Sequence, residues 1–235
     1  MQPPVLMNTK KIQRLMRKYV LVCPIRGANP YRRMMKALKT DAVADNLLNW
    51  EFREHGPRRV LLTDITYIPC YGVFFYLSVI KDACTMQILA YALSDSLAVD
   101  FVLETVNQLI EKHGASLDAE MLIHSDQGSY YTSKRFRQIL SDSNLRQSMS
   151  RRGNCWDNAS QESFFGHMKD EIADKIADCS SFDEAGAGID DYMDYYNNDR
   201  GQWQLDKLMP NEYYNYCRTG IYPLPRAPSR EIAHP

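Results

Sequence analysis

Three carboxylates in this chain fall where metal-assisted chemistry would want them. Asp126 follows the short apolar run Leu122-Ile123-His124-Ser125, which reads as a buried strand, and the turn glycine Gly128 comes two residues later. It therefore sits at the mouth of a sheet, where open α/β proteins keep their chemistry. Asp64 interrupts a second apolar strand, Val60-Leu61-Leu62-Thr63-Asp64-Ile65-Thr66-Tyr67-Ile68. Glu162 opens a long helical pattern thirty-six positions after Asp126. An ionised aspartate inside a sheet is costly unless it is paired or binds a metal. Together the three propose a site for hard cations. Two Mg²⁺ about 3.5–4 Å apart, held by oxygen ligands alone, would serve phosphoryl transfer, and Mn²⁺ suits the same donors.

The elements that must position these groups are legible in outline. Strands are expected over Arg59–Ile68, Val73–Ile80 and Met86–Ala92, spaced as an antiparallel meander. A helix over Ala98–His113, a strand Met121–His124, a helix Ser133–Asp142 and a short strand Arg146–Ser150 follow. The helix that carries Glu162 starts at Asp157 or Ser160 and buries Phe164, Phe165, Met168, Ile172 and Ile176; another spans Phe182–Tyr196. This order fits an α/β fold with a mixed five-stranded sheet flanked by helices, with strands one and four adjacent in the middle. Asp64 and Asp126 would then face one another, as in ribonuclease H-like proteins.

Upstream lies a basic helical arm, residues 1–57. Asn8 or Thr9 caps a helix whose apolar stripe is Ile12, Leu15, Met16 and Tyr19, with Lys10, Lys11, Arg14, Arg17 and Lys18 on the other face. Asp41–Phe52 is expected to continue helically, and His55-Gly56-Pro57 marks the boundary. Residues 58–217 form the core with a C-terminal helical extension, and 218–235 a Pro-rich tail. Residues 1–59 carry thirteen Lys/Arg against four Asp/Glu, a net +9; the other 176 carry fifteen against twenty-five, a net −10. The basic helix could lie on DNA, on an anionic membrane or in solvent, and the segregation of charge favours a polyanion, nucleic acid, held by the arm over a merely solvated face. No apolar run spans a bilayer and no signal peptide opens the chain, so a cytoplasmic protein without membrane contact is expected. The six cysteines form no CxxC pair, which argues against a zinc module.

Lys169 lies seven residues after Glu162, two turns along the same face, where it could reach a phosphate; Arg151 and Arg152 just before the helix could do likewise. His124 is read either as a neighbour of the site or as a satisfied core imidazole, and Tyr192–Tyr196 as packing.

Thr63-Asp64-Ile65-Thr66-Tyr67-Ile68, His124-Ser125-Asp126-Gln127-Gly128-Ser129, Gly153-Asn154-Cys155-Trp156-Asp157-Asn158-Ala159 and Glu162-Ser163-Phe164-Phe165 closely resemble motifs of the insertion-sequence-three family of bacterial transposases, over roughly residues 59–214. The resemblance implies a retroviral integrase-type, ribonuclease H-like core. It also implies an Asp-Asp-Glu triad, catalytic and metal-holding, at Asp64, Asp126 and Glu162, with Lys169 as the basic residue seven beyond the glutamate. The implied activity is 3′-end cleavage and strand transfer, by a second-reading-frame product that assembles with copies of itself on DNA, and with the first-frame protein. The pattern departs at Leu61, where tryptophan is common, and at Gly201-Gln202 and Met209 near the C-terminus. A nuclease that only hydrolyses and a non-catalytic DNA-binding regulator are the other readings of the same residues.

Overall fold

The computed structural model describes residues 8–21, 43–48, 54–70, 72–114, 121–151 and 159–224. Two compact units divide after Lys39. In the first, α1 (Thr9–Lys18) is capped by Asn8, whose side chain accepts from the Lys11 amide at 2.9 Å. Lys10, Lys11, Arg14, Arg17 and Lys18 are all exposed.

The second unit is built on a sheet of β1 (Val60–Cys70), β2 (Val73–Asp82), β3 (Ile88–Ser94), β4 (Leu122–Ser125) and β5 (Arg146–Met149). The strand order is β3-β2-β1-β4-β5, antiparallel from β3 to β1 and parallel from β1 to β5. Helices α2 (Val99–His113) and α3 (Lys134–Asp142) supply the late crossovers. Their Phe101, Val106, Leu109, Phe136 and Leu140 bury one face of the sheet with Leu61, Ile123 and Met149. Helices α4 (Ala159–Ala177) and α5 (Phe182–Asn198) cover the other face. There Phe164, Phe165, Met168 and Ile172 meet Ile68, Phe75, Leu77 and Val79. Burying each of these side chains stabilises the fold by about 1.5–3 kcal/mol.

Side chains alternate along a strand, so the even positions of β1 after Asp64 face α4 and α5, as buried Ile68 and Cys70 do. Asp64 therefore points to the α4 side. The edge strand β3 is closed by Asn197 of α5, which accepts from the Ile88 amide and donates to its carbonyl, both at 2.9 Å.

Two expectations are corrected, and the C-terminal helical extension gains its bounds. Residues 43–48 are not helical. They run beside β5, with the Leu47 amide on Ser148 Oγ at 3.0 Å and the Met149 amide on Asp45 O at 3.3 Å. The open edge of β5 offers backbone partners that outweigh a weak helical pattern. Strand β2 continues past Ile80 through two buried polar residues, Lys81 and Asp82, whose partners come from elsewhere in the chain. A further helix, α6 (Pro210–Thr219), follows a single 3-10 turn at Trp203–Leu205. It opens on Pro210 and ends at Gly220 with φ +71°, the usual start and stop residues of a helix.

Candidate active site

Sheet register brings the two aspartates together. Leu62 pairs with His124 across the parallel β1–β4 ladder, and carrying that alignment two residues on sets Asp64 opposite Asp126. On its other side Asp64 pairs with Val79 of β2. Asp126 stands just beyond the last residue of β4, where the chain turns. Its Oδ1 accepts from the Gly128 amide at 2.8 Å, and a Cβ at Gly128 would lie only 2.8 Å from that same oxygen. Glycine is needed for this close approach. Gly128→Ala is expected to displace the Asp126 carboxylate and slow any metal-dependent reaction about tenfold or more, with an unchanged melting curve; rate and melt measured side by side check this.

Close to the two aspartates, in the cluster on the α2–α3 side of the sheet, lies Tyr131. It is fully buried against Phe136, and its pKa is pushed well above the ordinary phenol value by burial first and then by the charges of Asp64 and Asp126. Thr63 hydroxyl acts weakly the other way. A residue of this kind has no signature in a sequence, because only folding brings its phenol near two carboxylates. Buried His124 sits one row behind, with Nδ1 3.0 Å from Ser148 Oγ, and belongs to the core.

Helix α4 docks its first turn on β2. Gln161, fully buried, donates to the Val79 carbonyl at 3.5 Å, on the residue paired with Asp64. Lys81 Nζ donates to the Ser160 carbonyl at 2.7 Å and to Ser160 Oγ at 3.2 Å. Burial lowers the Lys81 pKa to about 7. Glu162, next in sequence, is half-buried. Lys169 is half-buried too, on the same flank two turns on, and its pKa falls through burial against an opposing pull from Asp64. Lys169 is thus a near neighbour of Asp64. Among the described residues no three Asp, Glu, His or Cys side chains converge closely enough to hold an ion. Ionised carboxylates repel one another, and Lys169 supplies a positive charge beside Asp64.

Arg151 is exposed just after β5. Arg152, with the expected cap Asp157 and the loop asparagines Asn154 and Asn158, lies outside the described residues. Tyr192 and Tyr196 are buried, the packing role expected of them. Cys70, Cys84 and Cys179 are buried free thiols and Cys217 an exposed one. No helix among the described residues is long and apolar enough to cross a membrane.

The sequence matches two family descriptions, each named "Integrase core domain", over residues 54–155 and 162–217. It is 35% identical over 209 residues to a transposase-like protein of Haemophilus influenzae, covering 88% of this chain and 92% of that one. With the transposase for insertion sequence element IS904 of Lactococcus lactis it shares 31% over 217 residues, 90% of this chain and 82% of the relative. The fold is similar to the catalytic core domain of HTLV-2 integrase, solved in complex with magnesium. There the TM-score is 0.52 at 13% identity, over 67% of this chain and 97% of the integrase core. Sheet order, flanking helices and these relatives agree: the chain belongs to the insertion-sequence transposases built on an integrase core, and is a DNA transposase.

Proposed function

We propose that this transposase cuts and joins DNA with Asp64, Asp126 and Glu162 as its reacting set, in the manner of the insertion-sequence-three family. The observation that supports the reading is the β1–β4 register: Leu62 pairs with His124, and two residues on Asp64 and Asp126 both lie within electrostatic reach of the Tyr131 phenol. The donors are all carboxylate oxygens, which suit Mg²⁺ or Mn²⁺. Asp64 and Asp126 would hold the ions, and Glu162 would complete the set from α4. When bound, two such ions supply charge stabilisation at the attacking and leaving oxygens of a phosphodiester.

The chain's own residues do the positioning. Gly128 leaves room for the Asp126 carboxylate and orients it. Lys169, beside Asp64, would contact a phosphate of the bound DNA strand. Arg151, Arg152 and the exposed cations of α1, within the arm of residues 1–57, neutralise backbone phosphates without reading sequence. Joining two DNA ends calls for at least two copies, and the first-reading-frame protein is the natural supplier of end recognition. The reaction takes place on DNA in the bacterial cytoplasm.

The test is cleavage of a labelled duplex ending in the element's terminal repeat, with Mg²⁺ or with chelator. Nicking at the 3′ end that depends on the ion supports the reading; ion-independent cleavage contradicts it. A binding readout accompanies it. Millimolar Mg²⁺ is expected to raise the melting temperature by about 2–4 °C, the effect of about 1 kcal/mol on a chain of this size. In Asp64→Asn the rise should vanish.

A further inference from the structure

Lys81 is a costly residue to keep. It lies in a strand interior at 1% exposure, on the face that α4 covers. Its ammonium contacts among the described residues are neutral: the Ser160 carbonyl and hydroxyl, and the Phe164 ring with its centroid 5.4 Å away. It also stands at the N-terminal turn of α4, the end of a helix that disfavours cations. No carboxylate pairs with it among the described residues, and burial brings its pKa to about 7. Where only packing matters, an apolar side chain of similar length would serve as well or better.

Its contacts are directed, however. Lys81 is in register with Leu62, and Val79 with Asp64, two residues along the same face. The β2–β3 pairing shifts between Ile80 and Lys81, an irregularity of the kind that re-aims a side chain. Lys81 grips Ser160 and Val79 takes the Gln161 amide. Two adjacent α4 residues are thus tied to the strand that borders Asp64, and the next residue is Glu162.

We propose that Lys81 is a positioning residue for the reaction: its ammonium ties the first turn of α4, and through it Glu162, to the strand that flanks Asp64. This rests on reading Asp64, Asp126 and Glu162 as the reacting set. Lys81 touches neither DNA nor ion. It acts by fixing where the third carboxylate stands, and small misplacements of such groups cost about a hundredfold in rate.

The experiment uses the full chain and compares wild type, Lys81→Met, Lys81→Arg, Ser160→Ala and Glu162→Gln. Melting temperature, affinity for the terminal-repeat duplex, and cleavage rate at saturating DNA across a Mg²⁺ series are measured for each. Lys81→Met is expected to melt no lower than wild type and to bind DNA equally well. Its saturating rate should fall about 10- to 100-fold, with several-fold more Mg²⁺ needed for half the maximal rate. Ser160→Ala keeps the carbonyl contact and should lose less than fivefold, and Lys81→Arg should recover part of the rate. Two results overturn the proposal. In one, Lys81→Met is as fast as wild type; in the other it melts well below wild type or fails to fold, so that any loss follows the folded fraction. Wild type that does not cleave while Glu162→Gln is equally inert would instead overturn the underlying reading of the site.

Discussion

Asp126→Asn is expected to reduce metal-dependent cleavage and joining by about 10³-fold or more while leaving the fold intact. Asparagine has the same shape, and its carbonyl can still accept from the Gly128 amide, the contact that holds the Asp126 side chain at 2.8 Å. The turn after β4 therefore keeps its geometry. Only the negative charge facing Asp64 is lost, and with it the affinity for a divalent ion. The single-turnover rate on a terminal-repeat duplex, set beside a thermal melt, separates the two effects. A melt within a degree or two of wild type and a rate below a thousandth of it agree with the assignment. Retention of more than about a tenth of the rate would remove Asp126 from the reacting set.

The second large effect concerns stability. Asp82→Ala should destabilise the core unit by about 3–5 kcal/mol, because a carboxylate with no exposure is the common acceptor for three buried donors. Oδ2 accepts from the Arg58 amide at 3.0 Å and from Thr85 Oγ at 2.9 Å, and Oδ1 from the Cys84 amide at 2.9 Å. Asp82 is also the main charge opposing the burial that lowers the Arg58 pKa. Arg58 stacks on Tyr214 of α6 at 4.7 Å and donates to Gln87 Oε1 at 3.1 Å, and Gln87 in turn donates to Asn211 at 2.6 Å. Removing the carboxylate leaves the donors unpaired and loosens the attachment of α6. Urea unfolding gives the number: the midpoint should drop with little change in slope. A midpoint close to wild type would mean that the hub does not hold this end of the sheet.

Much of the sheet is written in the residue types. Strands β1 to β5 follow from apolar runs bounded by turns, and their order from helices long enough to cross over. The facing of Asp64 and Asp126 needs only that β1 and β4 be neighbours. What hydropathy does not carry is partnership across long separations. Lys81 and Asp82 read as the end of β2 because they are charged, yet they are buried in the middle of contacts from Ser160, Arg58 and Thr85. Residues 43–48 read as helix because nothing local reveals the free edge of β5. The C-terminal helical extension is legible only without bounds among tyrosines and asparagines, although Pro210 and Gly220 mark both ends of α6. Tyr131 follows Gly128 by three residues, but its nearness to two carboxylates is a property of the fold. The three carboxylates came from their types and spacing. How α4 is seated to present the third depends on Lys81 and Gln161, which no local pattern singles out.

On the proposed reading this chain joins DNA through the carboxylate set that α4 completes. Its most direct test is strand transfer of a labelled terminal-repeat duplex into a target, with Mg²⁺, by wild type and by Glu162→Gln. Joined products from wild type and none from a folded Glu162→Gln are predicted. Joined products persisting in Glu162→Gln, or nicking without joining in wild type, would contradict it.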